Sequence, residues 1–166
     1  GIEFVVSDEN KGMRKALAKH FQGAKLQRCQ VHFMRNFLSK VSKKDQKDSM
    51  LLLKEVFAAN TKERAHSTMK HLISLLHDRK KENVAQWLEE NIEDTLQVLE
   101  LPAEHRNKMK STNMLERVNQ EVKRRTKSIR IFPNEESCLR LVSNLCQEIS
   151  EKWTFRKCLT MEVTGE

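Results

Sequence analysis

The segment Ser111–Arg125, which reads STNMLERVNQEVKRR, places the carboxylate of Glu116 on a polar helical face inside a basic stretch. Side chains three or four residues apart share a helix face, so Asn113, Glu116, Asn119, Gln120 and Lys123 align. Leu115, Val118 and Val122 form an apolar stripe beside them. Such a helix packs on one side and presents Glu116 on the other. From Lys110 to Arg130 there are seven Lys or Arg against Glu116 and Glu121, a net of +5. A carboxylate among so many cations makes a poor core and a good phosphate site. The plainer reading is a capping box, in which Asn113 caps the helix and Glu116 reaches back to it, with the basic run as a solvated face.

Asp8 ends an apolar, β-branched run and precedes a helical pattern, the position at which α/β sheets hold ligand-binding groups. It also suits an N-cap, for which Asp is among the preferred residues. Cys29-x-x-His32 has metal-ligand spacing. A structural zinc site takes four ligands, and no second Cys or His pair stands at a matching distance. His66, His71 and His77 fall on charged helices, where such residues are usually solvated. With four glycines in the chain, a Gly-rich phosphate loop or dinucleotide fingerprint is absent, as is a Ser-His-Asp arrangement.

The elements that must position these residues begin with a strand over residues 2–7. A helix over Asn10–Phe21 follows, carrying Met13, Ala16, Leu17 and Phe21 at helical spacing and closed by Gly23. Lys25–Val31 reads as a second strand and Phe33–Leu38 as a helix. From Lys43 to Leu101 apolar residues recur at helical spacing, predicting three or four helices. Pro102 ends that block, and a polar connector leads to the Glu116 helix. Phe132-Pro133-Asn134 then punctuates the chain, and Glu135–Trp153 reads as one amphipathic helix with Cys138, Val142, Leu145 and Ile149 on a face. The predicted class is α/β and mostly helical, in three segments: 1–42, 43–110 and 111–166.

A chain of 166 residues with 38% hydrophobic and 33% charged side chains is long enough for a core and heavily charged outside. It has no apolar run of membrane-spanning length and no signal-peptide pattern, so a cytoplasmic setting without membrane partners is expected. Cys29, Cys138, Cys146 and Cys158 are too sparse for a disulfide scaffold and are expected as thiols, with Cys138 and Cys146 buried. A formal charge of +8 and an isoelectric point near 9.4 favour an anionic partner, nucleic acid above all. Two Trp and no Tyr argue against a stacking platform for single strands. The opening strand has no earlier partner in this sequence, which reads as the later part of a larger protein.

The stretches VVSDENKGMRKAL, LQRCQVHFMRN, STNMLERVNQEVKRRTKSIRIFPNEESCLRL and Glu151–Trp153 together resemble the C-terminal part of Mutator-type transposases of bacterial insertion sequences. The resemblance runs nearly end to end. It implies a partial RNase H-like, retroviral integrase-like core with an all-helical insertion, and a DDE carboxylate triad. Asp8 matches the second Asp and Glu116 the Glu, 108 residues further on, which leaves room for the helical block at about 43–101. Cys29 and His32 match a C-x-x-H element whose role stays open between local packing and DNA contact. Arg156-Lys157-Cys158-Leu159 has Cys where the family pattern has an aromatic residue.

What the resemblance implies chemically is metal-dependent phosphoryl transfer: cleavage at the end of the DNA element, then attack of the freed 3′ hydroxyl on target DNA. Two Mg²⁺ or Mn²⁺ ions would be held by shared carboxylates, with Arg117, Lys123, Arg124 and Arg125 on the phosphate backbone. The implied partners are double-stranded DNA and further copies of the chain, at the bacterial nucleoid. The first Asp of the triad belongs on an earlier strand outside this sequence, so these residues alone are expected to bind metal weakly and catalyse poorly. Two alternatives stay open: a non-catalytic DNA-binding or oligomerisation remnant of a transposase, and a zinc-stabilised helical module built on Cys29 and His32.

Overall fold

The computed structural model describes residues 1–9 and 11–154, with the backbone alone for Lys11. The chain divides into two compact units, Gly1–Ser111 and Thr112–Glu166. In the first, β1 (Phe4–Ser7) and β2 (Lys25–Arg28) are parallel, with Ser7 opposite Arg28, and α1 (Lys11–His20) supplies the crossover that parallel strands require. Gly23 takes a φ of +90° in the turn that returns the chain to β2, a conformation that suits a residue without Cβ. The second strand is shorter than predicted: at Cys29 the chain enters α2 (Gln30–Lys40), so Gln30 and Val31 are helical.

Three helices follow, α3 (Gln46–Ala58), α4 (Lys62–Asp78) and α5 (Glu82–Asn91), then two 3₁₀ turns at Glu93–Thr95 and Gln97–Glu100. One core of buried residues runs from Phe33 and Phe37 of α2 through Leu53, Val56, Leu72, Leu76, Ala85 and Leu88 to Ile92 and Leu96. Thr61 caps α4 by accepting a hydrogen bond from the Arg64 amide. The expected polar connector after Pro102 is instead a helix, α6 (Ala103–Met109). It has no apolar periodicity to reveal it. Arg106 anchors it by donating to the carbonyls of Leu99 (2.8 Å), Leu101 (2.7 Å) and Asn60 (2.7 Å).

The expected apolar face of α1 is largely open: Met13 is 46% and Phe21 42% exposed. Among the described residues β1 pairs with β2 alone. Beyond β2, the two 3₁₀ turns cover the sheet. Gln27, fully buried, donates to the Thr95 carbonyl (2.7 Å) and accepts from the Val98 amide (2.7 Å), while Gln30 donates to the same Thr95 carbonyl (3.0 Å).

The second unit holds α7 (Asn113–Ile129) and α8 (Glu135–Thr154), packed on each other. Asn134 caps α8, its side-chain oxygen accepting from the Ser137 amide at 2.9 Å. Along α8, Leu145 is buried and Cys138, Val142 and Ile149 are half-buried, the face expected from their spacing. Cys146, expected inside, is exposed, because it lies one position around the helix from Leu145. The described cysteines form no disulfide among themselves; Cys158 and the segment around it lie outside the described residues. No described helix is long and apolar enough to cross a membrane.

Candidate metal and phosphate site

Parallel register brings the chain just past β1 and the chain just past β2 to the same sheet end. Ser7 lies opposite Arg28, and its carbonyl accepts from the Cys29 amide at 2.8 Å, so Asp8 and Cys29 emerge side by side. Asp8 sits three residues ahead of α1 rather than next to it, so it is not the N-cap residue. Cys29 occupies the N-cap position of α2 without a side-chain capping bond, and His32 stands in the first turn. The His32 Nδ1 atom is 2.9 Å from an Asp8 carboxylate oxygen and 3.3 Å from the Cys29 sulfur. One potential ligand atom from each of the three lies within 4.8 Å of the others. Cys29 is fully buried, while the side chains of His32 and Asp8 are 28% and 53% exposed, so the cluster opens to solvent on its carboxylate side.

Arg28 stiffens this end of the sheet. Its guanidinium is 2% exposed, pairs with Glu9, donates to the Asn91 side chain (3.3 Å) and lies over the rings of Phe33 (4.9 Å) and Trp87 (5.7 Å). Burial pulls its pKa below the ordinary Arg value, and the Glu9 carboxylate opposes that shift. Asn36 also donates to Glu9, at 3.1 Å. Neither Glu9 nor Arg28 stands out in the sequence as a site residue. The signal was their position: they flank Asp8 and Cys29, at the end where the parallel register closes.

Glu116 belongs to the second unit and sits one turn into α7. The capping box is replaced by a different arrangement: Thr112, not Asn113, is the N-cap residue, and its hydroxyl donates to a Glu116 oxygen at 3.1 Å. Asn113, Arg117, Asn119 and Lys123 are exposed, as expected. Leu115 is not part of a covered stripe, being 59% exposed; Met114, Val118 and Val122 are the half-buried apolar residues of α7, and Glu116 is half-buried too. Arg124 and Arg125 are both engaged by Glu121, at 2.7 Å and 3.0 Å. The two guanidiniums, Arg124 foremost, hold the Glu121 carboxyl at about 2. His71 and His77 are exposed and His66 is half-buried; His66 pairs with Glu93, and His77 lies 3.1 Å from Glu82. Among the described residues, Asp8, Cys29 and His32 form the one group of three or more His, Cys, Asp or Glu that could hold a metal ion.

The chain is similar to known proteins over most of its length. The family model for Mutator-family transposases matches residues 1–155. The transposase for insertion sequence element ISRM5 of Rhizobium meliloti (strain 1021) is 40% identical over 156 residues, covering 92% of this chain and 38% of the relative. The transposase for IS256 in transposon Tn4001 of Staphylococcus aureus is 38% identical, with 93% and 40% covered. That for IS406 of Burkholderia multivorans (strain ATCC 17616 / 249) is 32% identical, with 92% and 39% covered. The chain therefore spans about two fifths of the length of these curated relatives. A match over nearly all its residues makes this chain a member of the Mutator family of transposases.

Proposed function

We propose that this chain supplies two carboxylates, Asp8 and Glu116, to a metal-dependent phosphoryl-transfer site that cleaves DNA ends and joins them to a target. The observation that carries this reading is the position of Asp8, half-exposed where β1 ends in a parallel sheet, the end at which such sheets bind ligands. Asp8 and Glu116 offer hard oxygen donors, the set that Mg²⁺ takes, so the residues present fit the ion that the family implies. Held by these carboxylates, Mg²⁺ or Mn²⁺ would supply Lewis-acid activation of the attacking oxygen and charge stabilisation of the leaving one.

The chain's own residues do the rest. His32 meets the Asp8 carboxylate and Thr112 the Glu116 carboxylate, each limiting its rotation. Arg117 and Lys123 face solvent on the helix that carries Glu116 and would hold phosphate without reading bases. Arg35, Lys54 and Lys110 also stand at the lining of a largely apolar groove with Val31, Met34, Leu38 and Phe57, where their cations could meet a phosphate. The exposed Ile2, Met13 and Phe21 support a larger, RNase H-like sheet, whose further strand would bring the third carboxylate. By itself the 166-residue chain is then inactive, and the working form is an assembly of several copies on DNA in the bacterial cytoplasm.

The test is strand transfer on a labelled element end with Mg²⁺, in protein extended upstream of Gly1. Removing a ligand whose metal contributes several kcal/mol should lower the rate by about 10³-fold or more in both Asp8→Asn and Glu116→Gln. Unchanged rates would overturn the assignment. DNA binding with no activity in any form would favour the non-catalytic remnant.

A further inference from the structure

We propose that Asp8, Cys29 and His32 form a second kind of metal site, one that takes a single Zn²⁺ through thiolate, imidazole and carboxylate with a fourth position left open. The sequence offered two ligands, Cys29 and His32; the fold adds Asp8 from another strand end. Two contacts converge on one atom: the carboxylate at 2.9 Å and the sulfur at 3.3 Å both address His32 Nδ1. A ring nitrogen carries one hydrogen or one lone pair, so the two contacts compete as hydrogen bonds. A cation between the three atoms satisfies all of them.

The spacing is close to what zinc needs. With Zn–S of about 2.3 Å and Zn–N and Zn–O of about 2.1 Å, tetrahedral geometry sets nitrogen and sulfur about 3.6 Å apart and nitrogen and oxygen about 3.4 Å apart. Reaching those values requires the ligands to open by about 0.3 and 0.5 Å, within reach of small rotations of a half-exposed Asp and His. The donor set excludes Mg²⁺, which demands oxygen ligands in octahedral array, and selects a softer ion. Three protein ligands and an open side are the arrangement of zinc sites that exchange water or substrate rather than of closed structural ones. Asp8 is shared with the proposed phosphoryl-transfer site, so zinc bound here would withdraw that carboxylate from Mg²⁺. The inference otherwise stands apart from that reading, since it needs Cys29 and His32 and not Glu116.

The experiment is a Co²⁺ titration of the reduced 166-residue chain, because cobalt replaces zinc and reports a bound thiolate by an intense near-ultraviolet charge-transfer band. The expected result is one ion per chain, a band bleached by Zn²⁺ but untouched by excess Mg²⁺, and the same band in Cys146→Ser. Cys29→Ser should abolish the band. His32→Gln should weaken binding by at least about 100-fold, because even partners behind the ligands are worth 10–100-fold. It changes a residue that is only half-buried and so covers the case in which Cys29→Ser fails to fold. No band with the unaltered chain, or a band that survives the loss of Cys29 or His32, would overturn the site.

Discussion

Gln27 and Glu100 show two ways in which single side chains tie β2 to the turns beyond it. Gln27 is buried and meets Thr95 and Val98 through both ends of its amide. Gln27→Leu leaves the buried Val98 amide without its acceptor and the Thr95 carbonyl with Gln30 as its remaining side-chain donor, so urea denaturation should find it about 2 kcal/mol less stable. Glu100 accepts from Lys25 and Lys62, and these partners, Lys25 foremost, hold its pKa at about 2, below the ordinary 4.5. A carboxylate with a depressed folded-state pKa stabilises above its ordinary value and loses that contribution as pH falls toward the depressed one. Stability should therefore decline between about pH 4.5 and pH 2, and Glu100→Gln should flatten that part of the profile in thermal melts against pH. Asp8 was legible in the sequence because a strand ending in an acid is a local pattern. Gln27 and Arg28 were not: Gln27 meets partners 68 and 71 residues away, Arg28 meets Glu9 at 19 and Asn91 at 63, and a polar residue in a short strand reads as surface until such partners are known.

At the scale of elements, α7 carries a neutralised cationic stretch. Glu121 occupies Arg124 and Arg125 together, so two of the four cations assigned to DNA are engaged within their own helix. Glu121→Gln releases both. DNA affinity at low salt should rise, and the slope of log affinity against log salt should steepen by up to about two charge equivalents; fluorescence anisotropy across a salt series checks it, and an unchanged slope would remove these arginines from the interface. Helix positions were readable wherever apolar residues recur, as along α8 with Cys138, Val142 and Leu145. They failed where another force holds the helix. Residues 103–109 have no apolar stripe, and α6 depends on Arg106 reaching carbonyls outside its own sequence window. The end of β2 was misplaced because Cys29 is the N-cap residue of α2, so Gln30 and Val31 are helical rather than extended.

For the molecule as a whole, burial is unevenly divided. Residues of α2 to α5 and the 3₁₀ turns share a continuous core, whereas Leu145 is the only buried residue in the second unit among those described. Few buried contacts mean low local stability. Hydrogen exchange should show the slowest amides in α2–α5 and distinctly faster exchange in α7 and α8; equal protection in both would contradict the division. The α/β, mostly helical character was plain from periodicity. The two-unit division was not, because it depends on which apolar residues find partners rather than on their spacing.

The bond from Gln27 to Thr95 spans 68 residues, and it has a meaning during synthesis. A ribosome adding about 5–20 residues per second completes β2 roughly 3–14 s before the segment that satisfies it has been made. Throughout that interval the buried face of β2 is open to solvent and to neighbouring chains. Nascent copies on one message are therefore exposed to mispairing at this strand, and slower translation before residue 95 should increase the need for chaperones.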